Sequence, residues 1–203
     1  MRLAIFGATG RSGRVIVEQS LQLGHQVTAL ARKPENVPHH EHLRAVAGDV
    51  CDPAPVARTV ADADVVISAL GRRRRGPSIC TEGMRVILAA MASDGPRRLI
   101  ALSNYGVAET RHRSLFVAVS WLLERSVLRD KEDMEAAIRA GDTEWTLIRP
   151  PVLTDGPRTK RYHTGVELRL TVGSRVSRAD LAAFTLSAAE DNTYVRQGVA
   201  IAY

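Results

Sequence analysis

This sequence predicts a doubly wound α/β fold: a Rossmann fold, with one parallel sheet covered on both faces. Three observations predict it. Short, nearly continuous apolar runs alternate with helical patterns along most of the chain, as strands buried on both faces do. A glycine-rich stretch, Gly7-Ala8-Thr9-Gly10-Arg11-Ser12-Gly13, joins the first apolar run to the first amphipathic one. No linker and no internal repeat interrupts the 203 residues. One domain over 1–203 is therefore expected, with about 151–203 completing a small substrate-side lobe.

The elements follow in order. "LAIF" (Leu3 to Phe6) is the first strand, and a helix follows from about Ser12 to Leu23, stopping at Gly24 as a helix C-terminus does. "QVTALA" (Gln26 to Ala31) is the second strand, Leu43 to Ala47 the third and "DVVISAL" (Asp64 to Leu70) the fourth. A short helix spans Pro53 to Val60; Pro53 suits its first turn, where the missing N–H costs little. A longer helix runs from Ile79 to Ser93, and "RRLIALS" (Arg97 to Ser103) is the fifth strand. Residues Ser114 to Ala140 read as one or two helices, with Met134, Ala137 and Ile138 at helical spacing. "EWTLIRP" (Glu144 to Pro150) is the sixth strand, stopped by a Pro-Pro pair. Thr154 to Gly173 are turn-rich and strand-like; a helix from Ser177 to Glu190 follows, with Ser177 as N-cap, and "GVAIAY" adds a final strand.

Composition narrows the function classes. A hydrophobic fraction of 45% belongs to folded globular chains. No run of eighteen apolar residues is present, so no membrane-crossing helix is expected; with no secretory leader pattern at Met1, the expectation is a cytoplasmic protein. Cys51 and Cys80 are far apart and fit no metal spacing, which reads as two reduced thiols. His39, His40 and His42 lack partners at ligand spacing and read as a solvated loop, so no metal is expected. The net charge of +6 comes almost wholly from arginine, four of them consecutive at Arg72 to Arg75. That run is most simply a solvated loop, and nucleic acid is not expected as a partner.

The glycines have a physical rationale. Gly7 directly after a strand allows a tight turn, Gly10 lets backbone approach a pyrophosphate, and Gly13 lets helix and strand pack closely. The exposed N–H groups and dipole of the helix N-terminus then favour phosphate. The end of the second strand chooses the cofactor. An acid there would hold ribose hydroxyls, whereas this chain has Arg32 and Lys33, and an arginine fork matches a 2′-phosphate. NADPH is the expected cofactor, with Arg11 as a second contact.

"IFGATGRSG", "GDVCDP", "VISALG", "TEGMRVILAAM", "LIALSN" and "EWTLIRPP" together resemble the atypical short-chain dehydrogenase/reductase-like NAD(P)H-binding proteins. The likeness is greatest to the biliverdin reductase B and flavin reductase (NADPH) group, with NmrA-like regulators as more distant relatives. The resemblance implies hydride transfer from NADPH to a flavin or similar planar acceptor, with FMN or FAD as substrate rather than prosthetic group. It implies that Gly7, Thr9, Gly10, Arg11 and Ser12 line the diphosphate, with Gly13 behind them, and that Arg32 holds the 2′-phosphate. Asp49 and Val50 would flank the adenine, and Ala69, Leu70, Gly71 and Arg72 would pass along the cofactor. Ser103 would lie beside the nicotinamide, under a turn made by Pro150, Pro151, Val152 and Leu153. One departure stands out: that group carries a histidine directly after the Pro-Pro pair, where this chain has Val152.

The Tyr-x-x-x-Lys pair of ordinary short-chain dehydrogenases is absent, because Tyr105, Tyr162 and Tyr194 are followed four residues on by Glu109, Val166 and Gly198. Ser103, closing the fifth strand, is the candidate to meet charge on the acceptor. Tyr105 is the candidate to stack against it, and Asn104 shapes the same place. Lys131 reads either as a lysine shared with relatives or as a surface partner of Glu135; Asp130 and Asp133 read as charges in a first helical turn. A non-catalytic NADP(H)-sensing regulator and a metabolite-specific reductase or isomerase stay open as alternatives, as do monomer and homodimer.

Overall fold

A computed structural model describes residues 1–71, 76–112 and 114–203. The Arg72 to Arg75 run, Arg72 of the expected cofactor contacts included, lies outside the described residues.

The strands are β1 (Arg2–Phe6), β2 (Gln26–Ala31), β3 (Leu43–Ala47), β4 (Val65–Ser68), β5 (Arg98–Leu102), β6 (Glu144–Arg149), β7 (Val152–Thr154), β8 (His163–Gly165), β9 (Arg175–Ser177) and β10 (Gln197–Ala202). The helices are α1 (Arg11–Gln22), α2 (Pro53–Val60), α3 (Ile79–Asp94), α4 (Leu115–Arg139) and α5 (Arg178–Glu190). The main sheet runs in the order β3-β2-β1-β4-β5-β6-β10-β8. Its strands are parallel except β8, which pairs antiparallel with β10 through Ala200–Gly165 and Ile201–Thr164. The doubly wound expectation holds. The turn-rich stretch contributes that antiparallel edge, and β7 pairs with β9 as a separate two-stranded parallel ribbon. Three-residue strands carry too few side chains to show a period of two.

The central strands alternate between two cores, as period-two geometry requires. Leu3 and Ile5 face Ile16 and Val17 of α1 and Leu181 of α5. Ala4 and Phe6 face Val56 of α2, Met84 and Ile87 of α3, and Met134 and Ile138 of α4. From β1 the chain winds outward through β2 and β3, then returns to β4 on the other side. The β1/β4 border is the switch point where open α/β sheets bind ligands, beyond the strands' carboxyl ends.

Helix ends follow the local chemistry. The Asp52 carboxylate accepts from the Ala54 N–H at 3.2 Å with Pro53 in the first turn, and the Ser177 hydroxyl accepts from the Asp180 N–H at 3.0 Å. Helix α4 breaks at Glu124, whose φ of −127° and ψ of 27° are non-helical, so one element holds two helical segments. Among the described residues no helix is long and apolar enough to cross a membrane.

Candidate dinucleotide site

Three glycines build the cradle. Gly7 has φ of +78°, and a Cβ there would sit 2.5 Å from the Ala69 carbonyl oxygen. A Cβ on Gly13 would overlap the Gly7 carbonyl. Fold geometry thus demands both. At Gly10 the nearest atom to an added Cβ is the Gly7 oxygen at 3.2 Å, and its N–H donates to that oxygen at 3.0 Å. Gly10 caps α1 with no side-chain bond to the first turn, which leaves N–H groups open to an anion.

A cleft of about 940 Å³ starts at this loop and runs past Leu30, Ala31, Arg32, Gly48, Asp49, Val50, Ala69, Leu70 and Gly71. Arg32 is exposed at the end of β2. Lys33 is exposed beside it but does not line the cleft. Asp49 spends one carboxylate oxygen on the Cys51 N–H at 3.0 Å. Among the described residues nothing lies within 4 Å of a Cβ added to Gly71, so they leave the backbone there open to close approach.

A second cavity of about 780 Å³ adjoins the first and shares Arg11, Ser12, Ala69, Leu70, Gly71 and Arg178 with it. Ser103, Asn104, Tyr105, Pro150, Pro151, Val152 and Leu153 line it, opposite Phe116, Val119, Leu123 and Val127 of α4. Ser103 is buried, its N–H donates to the Ile148 carbonyl at 2.8 Å, and its Oγ has no partner among the described residues. A buried hydroxyl without a partner is costly, and the residue that carries this one lines the cavity. Val152 is 54% exposed at the rim.

Tyr105 is placed differently from a freely stacking ring. It is buried, its hydroxyl accepts from the Leu170 N–H at 3.1 Å, and its ring meets His112 edge-on at 5.9 Å. Its N–H donates to the Pro150 carbonyl at 3.0 Å, tying the loop after β5 to the Pro-Pro turn. Below that turn, fully buried Arg149 reaches Glu135 at 2.9 and 2.5 Å and Glu109 at 2.5 Å. Burial acts to lower the Arg149 pKa, but the two carboxylates outweigh it and raise the pKa above the usual arginine value.

Three sequence readings are corrected here. Lys131 makes no surface pair with Glu135: it is buried, and its Nζ donates to the Leu70 and Leu102 carbonyls at 2.7 Å each, while Glu135 serves Arg149. Asp130 is not a first-turn surface charge. It is buried and accepts from the N–H groups of Cys80 and Thr81 at 3.1 and 3.0 Å, capping α3 from α4. Asp133 is exposed, well inside α4. Burial pushes the Cys80 thiol up, which makes it a poor nucleophile. Among the described residues no three His, Cys, Asp or Glu side chains converge as a metal set.

Two residues that sequence reading passed over reach the junction of the cavities. Asp155, after β7, accepts from Arg178 at 2.6 Å and from Arg11. Desolvation raises the Asp155 pKa, but the arginines outweigh it and hold the carboxyl below the usual range. No local pattern flags this pair, because 23 residues separate Asp155 from Arg178.

The site fits a dinucleotide: Gly7 and Gly13 form a cradle that no Cβ would enter, and among the described residues Gly71 is open and Ser103 Oγ lacks a partner. Comparison with known proteins agrees. The fold is shared with a Burkholderia pseudomallei protein at 27% identity and a TM-score of 0.83, over 100% of both chains. A Veillonella parvula short-chain dehydrogenase/reductase solved with NADP matches at 18% identity and a TM-score of 0.84, over 100% of this chain and 94% of that one. A candidate NADH-flavin reductase of Streptococcus pneumoniae matches at 22% and 0.83, over 100% and 99%. An uncharacterised Mycobacterium tuberculosis protein is 30% identical over 129 residues, which are 63% of this chain and 15% of that longer protein. The family model described as NAD(P)H-binding matches residues 7–192, and the chain belongs to that NAD(P)H-binding family.

Proposed function

We propose that the chain is an NADPH-dependent reductase of a flavin or a similar planar acceptor. One observation carries this reading: the cavity beside the dinucleotide cleft is broad and largely apolar, Ser103 lies at its floor, and the acid that lines it among the described residues, Glu124, is exposed on α4 rather than buried at the floor. Lys131 is committed to two carbonyls and Tyr105 to Leu170, and Val152 stands where the related group has a histidine. Chemistry that needs protein-mediated proton transfer at the acceptor is poorly served. Flavin reduction is served well, because its proton can come from solvent: NADPH, one proton and oxidised flavin give NADP⁺ and reduced flavin.

NADPH supplies the hydride when bound; the protein supplies position and a dry environment. Gly10 and the open N-terminus of α1 hold the diphosphate, and Arg32 selects the 2′-phosphate. Ser103 Oγ donates at the inner end of the acceptor cavity, where negative charge develops. Val119, Leu123 and Val127 of α4 face the Pro150–Leu153 turn across the cavity and exclude water from an intervening flat ring. The flavin reductase and NADP named among the structural neighbours support this reading.

Mixing purified protein with NADPH and a panel of FMN, riboflavin and a soluble quinone tests it. NADPH oxidation above the acceptor-free rate is expected with at least one flavin. Tight NADPH binding without turnover on any acceptor would replace the reductase with a dinucleotide sensor.

A further inference from the structure

Arg178, the first residue of α5, stands between the two cavities and lines both. Its side chain is only 11% exposed, its Nη1 lies 2.6 Å from Asp155 Oδ1, and its Nε is buried with no acceptor among the described residues. The other Asp155 oxygen takes Arg11, which begins α1 at the glycine loop. One carboxylate therefore serves two guanidinium groups at the mouth of the phosphate cradle.

Fold stability does not account for the arrangement. Arg11 and Asp155 are 70% and 66% exposed, and exposed pairs add little. A largely buried arginine with an unused N–H is poorly satisfied by one carboxylate oxygen. Two cations share a single negative charge, whereas a diphosphate carries two and offers several oxygens to planar guanidinium forks.

We propose that Arg11 and Arg178 form a two-sided clamp on the cofactor diphosphate, and that Asp155 is the internal anion the diphosphate displaces. The clamp joins the glycine loop to the C-terminal lobe. Asp155 leads into the Gly156–Tyr162 segment and α5 lends Leu181 to the acceptor cavity, so dinucleotide binding is registered where the acceptor enters. This rests on family membership in dinucleotide binding and not on the identity of the acceptor.

The test is titration of the full chain with NADPH and with NADH, read by nucleotide fluorescence. Arg178→Ala is expected to weaken both dinucleotides about tenfold and equally, because the diphosphate is common to them. Arg178→Lys is expected to fall between, keeping the charge without the fork. Asp155→Asn is expected to tighten both several-fold by removing the competing anion. Thermal melts show whether each variant is folded; Arg178→Lys carries the test if Arg178→Ala is not. Unchanged dinucleotide affinity in a folded Arg178 variant overturns the clamp. So does a KM rise for FMN but not riboflavin at constant NADPH affinity, which would move Arg178 to the acceptor's phosphate. Weaker binding in Asp155→Asn overturns the displacement, and a wild-type chain that binds neither dinucleotide overturns the site itself.

Discussion

In the proposed function, Arg32 makes the choice between the two dinucleotides. It is exposed, lines the cleft at the end of β2, and stands in the chain between Ala31 and Lys33, neither of them an acid that would favour a ribose hydroxyl. A charge-assisted hydrogen bond contributes about 1.5–3 kcal/mol, and reversing the charge adds repulsion. Arg32→Glu is therefore expected to weaken NADPH by about a hundredfold and NADH by only a few-fold, measured as dissociation constants at one ionic strength. Equal loss for both would remove Arg32 from the 2′-phosphate. The place of this residue at the cleft was legible in the sequence because it follows from a short count along one βαβ unit, as do the places of the glycines. Lys131, Asp130 and Arg178 were not legible. Lys131 finds its carbonyls 29 and 61 residues away, and Asp130 finds its N–H groups about 50 residues away. A charged residue in a helical pattern reads as surface unless the fold that buries it is known.

The second segment of α4 is the element that holds the site's supports together. Asp130 caps α3 through Cys80 and Thr81, the Thr81 hydroxyl adding a 2.7 Å bond. Lys131, next in the helix, gathers the ends of β4 and β5 at Leu70 and Leu102, so Gly71 and Ser103 take their places from one ammonium group. Removing the Asp130 carboxylate leaves the two buried N–H groups of Cys80 and Thr81 unpaired. Asp130→Ala is expected to cost about 3 kcal/mol in urea unfolding, while Asp133→Ala, exposed three residues on, costs under about 0.5 kcal/mol. Similar losses at both positions would contradict this division of roles. Helix periodicity found both segments of α4 but left their number open, because the break at Glu124 carries neither proline nor glycine.

Across the whole molecule, Asp180 ties the C-terminal lobe to the main sheet's periphery. It is buried in α5 and accepts from the Thr159 N–H at 2.9 Å and hydroxyl at 2.7 Å, the Lys160 N–H at 2.9 Å and the Tyr203 hydroxyl at 2.7 Å. Burial pushes its carboxyl up, yet these bonds outweigh burial and hold its pKa below the 3.8 of a free aspartate. Bonding to Arg2 lowers Asp64 in the same direction. At Glu109 desolvation again acts upward, and bonding to its own backbone and to Arg149 brings it below 4.5. With folded values depressed, the unfolded chain binds more protons in the acid range, so stability rises with pH there. The stabilisation is fully present above the unfolded values of 3.8 and 4.5. It drains away as pH falls through the lower folded ones. The melting temperature is therefore expected to be flat between about pH 5 and 7 and to fall steeply below about pH 4. Asp180→Asn keeps the shape but cannot titrate. It should lower the plateau through weaker bonding to Thr159 and Lys160, and it should shallow the acid limb relative to wild type. An acid limb of unchanged slope would mean that the lobe is not anchored through this carboxylate, and that the N–H groups of 159 and 160 find other acceptors when the charge is lost.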